Sequence, residues 1–63
     1  MDAETQYRIG LLVQVIDEAG PDGISLVDLA AKTGLEPGAF ADVLALCLAR
    51  DFVKRSGRGY TRR

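Results

Sequence analysis

The chain has 63 residues, an apolar fraction of 48% and a formal net charge of −1 at pH 7. This length allows one domain, residues 1–63, with a small hydrophobic core, and the apolar fraction is typical of a chain that folds. The single Cys and the absence of His exclude an internal disulfide and remove both the usual zinc ligands and the commonest general base. We therefore expect that the chain is not an enzyme and that it holds neither a metal ion nor a cofactor.

The sequence carries no pattern that is typical of export. It has no run of about 18 apolar residues, the length that a membrane-spanning helix needs. The first residues, "MDAETQYR", lack the basic and apolar zones of a signal peptide. We expect a cytoplasmic protein without a membrane segment.

Residues 4–19, "ETQYRIGLLVQVIDEA", are predicted to form the first helix. Their apolar side chains recur at the i, i+3, i+4, i+7 spacing of a helix with one buried face. That face comprises Ile9, Leu12, Val13, Ile16 and Ala19. The segment "GPDG" at 20–23 ends the helix, because Gly and Pro interrupt helices most strongly, and Ile24 is predicted to be extended.

A second helix is predicted to begin after Ser25 and to end before Gly34. The Ser25 hydroxyl can accept a hydrogen bond from the backbone N–H of Asp28 and so cap the helix. Gly34 can adopt the left-handed backbone with which many helices end. The buried face is predicted to comprise Leu26, Leu29 and Ala30.

A third helix is predicted over residues 37–50. Pro37 suits its first position, because the N–H that proline lacks would have no helical partner there. The core face is predicted to comprise Phe40, Val43, Leu44, Cys47 and Leu48. Cys47 is therefore interpreted as a buried packing residue, which is the usual place of a free cysteine.

Two short strands are predicted after the third helix. They are "FVKR" at 52–55 and "YTRR" at 60–63, and the turn "SGRG" at 56–59 joins them as a hairpin. The order of elements is helix, short strand, helix, helix, strand, turn and strand. This order predicts a mainly α chain with a small β-hairpin.

The chain resembles a known family over about residues 5–62. The pattern "ISLVDLAAKTGL" at 24–35, followed by Val43, Leu44, Leu48 and "FVKR", is similar to the winged helix-turn-helix heads of IclR-type and MarR-type regulators. "LEPGAF" also resembles small stand-alone winged-helix proteins of ferrous-iron transport, but those carry several cysteines near the wing, where this chain has none. The resemblance implies a winged helix-turn-helix fold with three helices, a short strand after the first helix and a two-stranded C-terminal wing.

The resemblance also implies that the third helix lies in the major groove of DNA. Its outward face is predicted to comprise Ala39, Ala41, Asp42, Ala45, Leu46 and Ala49. Base readout needs long donors and acceptors, chiefly Arg, Lys, Asn and Gln, and none occurs in this helix before Arg50. Ala39, Asp42, Leu46 and Arg50 are therefore candidates either for a DNA contact or for the docking of a protein partner.

The charges are divided between two segments of the chain. Residues 1–49 contain eight acids and two bases, whereas residues 50–63 contain six bases and one acid. Such asymmetry indicates an anionic partner, and we expect duplex DNA, bound weakly through its backbone or minor groove. The predicted contacts of the wing are Lys54, Arg55, Arg58, Arg62 and Arg63.

A basic hairpin has a second interpretation. Charged residues on edge strands also protect a sheet against aggregation, without any partner. Tyr60 is similarly interpreted as a packing residue of the hairpin, and base stacking is the alternative role.

Tyr7, Leu11 and Val15 form a second apolar stripe on the first helix, because they recur every four residues. A helix that packs on one side only does not need this stripe. It predicts either a contact with the wing or the interface of a homodimer, and we favour the homodimer.

Two functions fit these observations. The first is a small DNA-binding transcriptional regulator, or the head of a larger one, in which the basic wing leads the DNA contact. The second is a winged-helix module for protein–protein interaction that does not bind DNA and docks its partner through the acidic, Ala- and Leu-containing face of the third helix. The resemblance and the charge division favour the first function, and the surface of the third helix favours the second.

Overall fold

The structure is a computed structural model that describes residues 2–57 and 59–62. Over these residues the chain forms three helices and three short strands. In chain order they are α1 (Ala3–Ala19), β1 (Ile24–Ser25), α2 (Leu26–Thr33), α3 (Pro37–Ala49), β2 (Val53–Ser56) and β3 (Gly59–Arg62). The prediction of a mainly α chain with a small β part is confirmed, and α1 begins one residue earlier than predicted.

The connection from α2 to α3 follows the local signals of the sequence. Ser25 Oγ accepts a hydrogen bond from the backbone N–H of Asp28 at 3.2 Å, which caps the start of α2. Gly34 ends α2 with a φ of 67°, a left-handed value that a residue with a Cβ adopts only with strain. Pro37 opens α3. The predictions for Ser25, Gly34 and Pro37 are confirmed.

The chain leaves α3 through a tight turn at Asp51. The N–H of Phe52 donates to the carbonyl of Cys47 at 2.9 Å, and the N–H of Asp51 donates to the carbonyl of Leu48 at 3.2 Å. These are the two hydrogen bonds of a Schellman motif. Asp51 occupies its left-handed position with a φ of 59°, which is uncommon outside glycine. β2 therefore begins at Val53, not at Phe52 as predicted, and Phe52 stays 40% exposed.

β2 and β3 form the predicted hairpin. They pair antiparallel, with Val53 opposite Arg62 and Ser56 opposite Gly59. The turn is therefore shorter than the predicted "SGRG", because Ser56 and Gly59 pair with each other as the last and first residues of the two strands.

β1 adds a third strand to the hairpin, in the order β1–β3–β2. Ile24 lies opposite Tyr60 and Ser25 lies opposite Gly59, again antiparallel. The backbones approach closely at Gly59, where a Cβ would lie 2.5 Å from the carbonyl oxygen of Ile24. Glycine is required at this position because any larger residue would separate β1 from β3.

The hydrophobic core lies between the three helices and the sheet. Its buried apolar residues are Ile9, Leu12, Ile16, Ile24, Leu29, Phe40, Val43, Leu44, Cys47 and Val53. Most of the predicted core face is buried or packs at its margin, as Val13, Ala19, Ala30 and Leu48 do. The prediction for Leu26 is wrong, since 45% of this residue is exposed. Leu26 is the first residue of α2 and borders an open groove.

Over the described residues, the structure contains no helix that combines the length and the apolar character needed to cross a membrane.

Candidate functional site

The hairpin exposes two neighbouring bases on β2. Lys54 and Arg55 are both exposed and stand opposite Thr61 and Tyr60 of β3. Successive side chains of a strand point to opposite faces of the sheet. Arg55 therefore shares a face with Tyr60, whereas Lys54 extends from the other face. The two bases reach different sides of the hairpin and do not form a single stripe.

Of the other predicted wing residues, the structure describes Arg62. Nη1 of Arg62 lies 4.0 Å from Oδ1 of Asp17 on α1, with both side chains at least half exposed, so this ion pair is weak. Arg50 is exposed at the end of α3. Arg58 and Arg63 lie outside the described residues.

The outward face of α3 is narrower than the sequence predicted. Asp42 is exposed, as are Ala41, Ala45 and Ala49. Ala39 and Leu46 are half-buried, and Leu46 packs against the core, so the prediction that Leu46 points away from the core is wrong. The exposed residues of α3 offer no side-chain donor to a base edge.

An apolar groove with a volume of about 360 Å³ separates α3 from the hairpin. It is lined by Leu26, Phe40, Ala41, Leu44, Ala45, Leu48, Arg55 and Tyr60. A neighbouring pocket shares Leu26, Arg55 and Tyr60 with the groove and is also lined by Gly57 and Gly59. Arg55 supplies its charge, and the small side chains Ala41 and Ala45 keep it open.

This groove was not among the features predicted from the sequence. The signal was present in Ala41, Ala45 and Leu48, whose i, i+4, i+7 spacing gives α3 a second apolar stripe beside its core face. The position of Arg55 opposite this stripe depends on the register of β3 between β1 and β2, which connects residues far apart in the chain.

The second apolar stripe of α1 is only partly free. Tyr7 is 69% exposed, Leu11 is half-buried, and Val15 is half-buried and packs against the core. Val15 therefore contributes to the core, whereas the sequence predicted it only as part of the outer stripe. Tyr7 and Leu11 remain as an apolar pair one helical turn apart.

Two polar contacts border this pair on α1. Oε1 of Glu4 accepts a hydrogen bond from Nη2 of Arg8 at 2.6 Å, and Oε1 of Glu18 accepts one from Nε2 of Gln14 at 3.1 Å. The apolar pair therefore lies between the ion pair of Glu4 with Arg8 and the exposed carboxylate of Glu18.

Two buried side chains carry groups that could react or bind. Cys47 is fully buried in the core, and burial raises the pKa of its thiol, so the reactive thiolate is disfavoured. The hydroxyl of Thr61 is buried without a hydrogen-bond partner among the described residues, beside a second cavity near Ile16 and Arg62. Within residues 2–57 and 59–62, no group of three His, Cys, Asp or Glu side chains is arranged to hold a metal ion.

A comparison with protein-family models, with curated proteins and with solved structures finds no match for this chain.

Proposed function

We propose that this chain is a winged helix-turn-helix domain that acts as a small DNA-binding regulator, or as the DNA-binding part of a larger one. α2 and α3 would be the helix-turn-helix, and β2 and β3 the wing. The element order and the short connection at residues 34–36 support this proposal. The pairing of β1 with β3, which ties the hairpin to the start of α2, supports it as well.

The observation that carries the DNA proposal is the separation of charge. Eight of the nine acids lie in residues 1–49, whereas six of the eight bases lie in residues 50–63. Lys54 and Arg55 are exposed on the hairpin, where they can neutralise phosphates. The contact is led by the wing because the exposed face of α3 has no donor for base edges.

The two faces of the hairpin also suit a DNA groove. A hairpin that enters a groove has a phosphate backbone on each side. Lys54 and Arg55 extend from opposite faces of β2, so each can meet one of the two backbones. Contacts of this kind hold the protein on the duplex without reading its sequence. Few phosphates are touched, so the affinity is low and falls as salt is added.

The test is fluorescence anisotropy with a random-sequence duplex over a series of salt concentrations. Lys54→Ala should weaken binding and lower the slope of log K against log salt by about 0.9, because one phosphate contact is lost. Arg55→Ala should do the same. Lys32→Ala is the matched control, since Lys32 is also exposed but lies on α2.

Equal binding by Lys54→Ala, Arg55→Ala and Lys32→Ala would contradict the contact led by the wing. The thermal midpoints of the three variants should agree with that of the parent chain, because substitutions of exposed charges change stability by less than about 0.5 kcal/mol. A change in DNA binding can then be assigned to the lost charge.

A second function is favoured by one observation, the apolar groove beside α3. A winged-helix module that does not bind DNA would dock a protein partner on the surface around Ala41, Asp42 and Ala45. The absence of any anisotropy change at low salt would select this function. Asp42→Arg and Ala45→Glu should then weaken partner binding, while Lys32→Ala should not.

A further inference from the structure

Two exposed surfaces of this chain are complementary to each other. The first is the groove between α3 and the hairpin, which has an apolar floor and Arg55 on its hairpin side. Its stripe of Ala41, Ala45 and Leu48 lies along more than one turn of α3. Small side chains in such a stripe let the backbone of another helix approach closely. The groove therefore fits an amphipathic helix that carries apolar side chains one turn apart and a carboxylate beside them.

The second surface is the outer side of α1, which carries two apolar side chains one turn apart and a carboxylate beside them. Tyr7 and Leu11 are separated by one turn, and their side chains are available because Tyr7 is 69% exposed and Leu11 does not belong to the core. Glu18 lies seven residues beyond Leu11, about two helical turns away, and so falls near the same side of the helix. This side of α1 therefore carries an apolar pair for the floor of the groove and a carboxylate for Arg55.

The charges distinguish between possible arrangements of two copies. Residues 2–18 carry the acids Asp2, Glu4, Asp17 and Glu18 against one base, Arg8, which pairs with Glu4 and leaves a net negative charge on α1. If α1 packed on α1 of a second copy, the acids would face acids and repel one another. If α1 lies in the groove, its carboxylates approach Arg55 and the basic hairpin. Charge complementarity therefore favours the contact between α1 and the groove.

We propose that two copies of this chain associate by placing α1 of one copy in the groove of the other. Tyr7 and Leu11 cover the floor formed by Ala41 and Ala45, and Glu18 approaches Arg55 of the second copy. Because each copy carries both surfaces, a two-fold arrangement uses the contact twice and closes as a dimer. This proposal does not rest on the proposed DNA binding, although both use Arg55, so that duplex DNA and a second copy compete for this side chain.

The dimer is expected to be weak and sensitive to salt. A standard stable interface buries roughly 800 Å² on each partner, which is a large share of the 4173 Å² of accessible surface that the described chain has. The two contacts are small, and their charges are exposed and therefore screened by salt. Association should be strongest at low ionic strength and should depend on protein concentration.

The experiment is sedimentation equilibrium of the full chain without DNA, at concentrations up to about millimolar. Leu11→Glu removes an apolar contact of α1, and Ala45→Glu blocks the groove. Each should raise the dissociation constant at least 30-fold, the loss typical of a central interface residue. Ala49→Glu is the matched control for Ala45→Glu, because Ala49 is exposed on α3 but does not line the groove. It should change the constant by no more than about twofold.

Mixing the two damaged variants gives the sharpest result. Leu11→Glu keeps an intact groove, and Ala45→Glu keeps an intact α1, so a mixed dimer retains one of the two contacts. An equimolar mixture should associate more strongly than either variant alone. Tyr7→Glu replaces Leu11→Glu in this test if circular dichroism shows that Leu11→Glu is unfolded, because Tyr7 is far more exposed.

Three outcomes would overturn the proposal. The first is a parent chain that stays monomeric over the whole concentration range. The second is a weaker dimer in only one of the two variants, which would indicate that identical surfaces of the two copies contact each other. The third is a mixture that associates no better than its components. None of these variants removes Lys54 or Arg55, so anisotropy with duplex DNA tests the proposed function separately.

Discussion

The helical body and the hairpin are held in place by different kinds of interaction. Of the ten buried apolar residues that the described chain contains, Val53 is the one that belongs to the hairpin. The rest come from the three helices and β1, and the body also carries most of the acids. The hairpin is anchored by Val53 and by hydrogen bonds to β1, and it carries the exposed bases Lys54, Arg55 and Arg62.

This difference separates stability from binding within one small chain. Most of the buried apolar area lies in the helical body, and burial of apolar area is the main favourable contribution to folding. The bases of the hairpin are not needed for burial and can serve a partner. Changes to the body should therefore alter the stability of the whole chain, whereas changes to the hairpin charges should alter binding.

The largest effect is expected for Leu12→Ala in the helical body. Leu12 is fully buried, and the substitution leaves a cavity that costs about 2–5 kcal/mol of unfolding free energy. That is a large share of the stability of a domain this small. Urea unfolding followed by circular dichroism measures the loss.

Leu26→Ala is the matched control for Leu12→Ala, because the same atoms are removed from a leucine that is 45% exposed. It should cost less than half as much. Equal losses of unfolding free energy would show that the groove side of α2 is as tightly packed as the core. Burial in the helical body would then not explain the effect of Leu12→Ala.

The next largest effect is expected for Gly59→Ala at the junction of the hairpin with β1. The new Cβ would lie 2.5 Å from the carbonyl oxygen of Ile24, and overpacking of this kind costs about 1–3 kcal/mol. Amide hydrogen exchange should accelerate most at β1 and β3, because their pairing is lost first. Gly10→Ala is the control, since nothing lies within 4 Å of its Cβ position, and it should stabilise α1 by about 0.5–1 kcal/mol. A Gly59→Ala variant with unchanged exchange would show that β1 and β3 are not paired.

A smaller effect of opposite sign is expected for Asp51→Gly, between the body and the hairpin. Asp51 holds a left-handed backbone with a φ of 59°, which glycine adopts without strain. The variant should raise the unfolding free energy by about 0.5–1 kcal/mol. Thermal unfolding measures the change, and a lowered midpoint would mean that the carboxylate of Asp51 stabilises the turn by more than the strain costs.

The smallest effect concerns the acid that opens the helical body. Asp2 caps α1, and hydrogen bonds from the side chain and the backbone N–H of Thr5 lower the pKa of its carboxyl group. The unfolded chain therefore binds this proton more readily than the folded chain. The stabilisation is complete above the ordinary pKa of aspartic acid and is lost as the pH falls through the lowered value.

Asp2→Asn tests this dependence because it keeps the capping oxygen and removes the charge. The parent chain should melt at a higher temperature than Asp2→Asn near neutral pH, and the gap should close below about pH 4. A gap that does not change with pH would mean that the charge of Asp2 plays no part in the cap.

The local features of the fold could be predicted, whereas the surface of the candidate site could not. Ser25, Gly34 and Pro37 act on backbone groups within four residues, so their roles follow from the sequence alone. Asp51 escaped prediction because aspartate is a less common choice than glycine for the left-handed position. Leu46 was placed on the wrong side because its burial depends on which elements pack against α3.

The sequence by itself determined the helices, the hairpin, most of the core face of the helices and the separation of charge. Periodicity and capping are short-range effects, so they are complete within each segment. Only the tertiary structure decided that β1 pairs with β3, that Leu26 borders a groove and that Arg55 faces α3 while Lys54 faces away. Those outcomes depend on one register between strands that lie more than 30 residues apart in the chain. No local pattern specifies such a register, because the side chains that select it come from different elements.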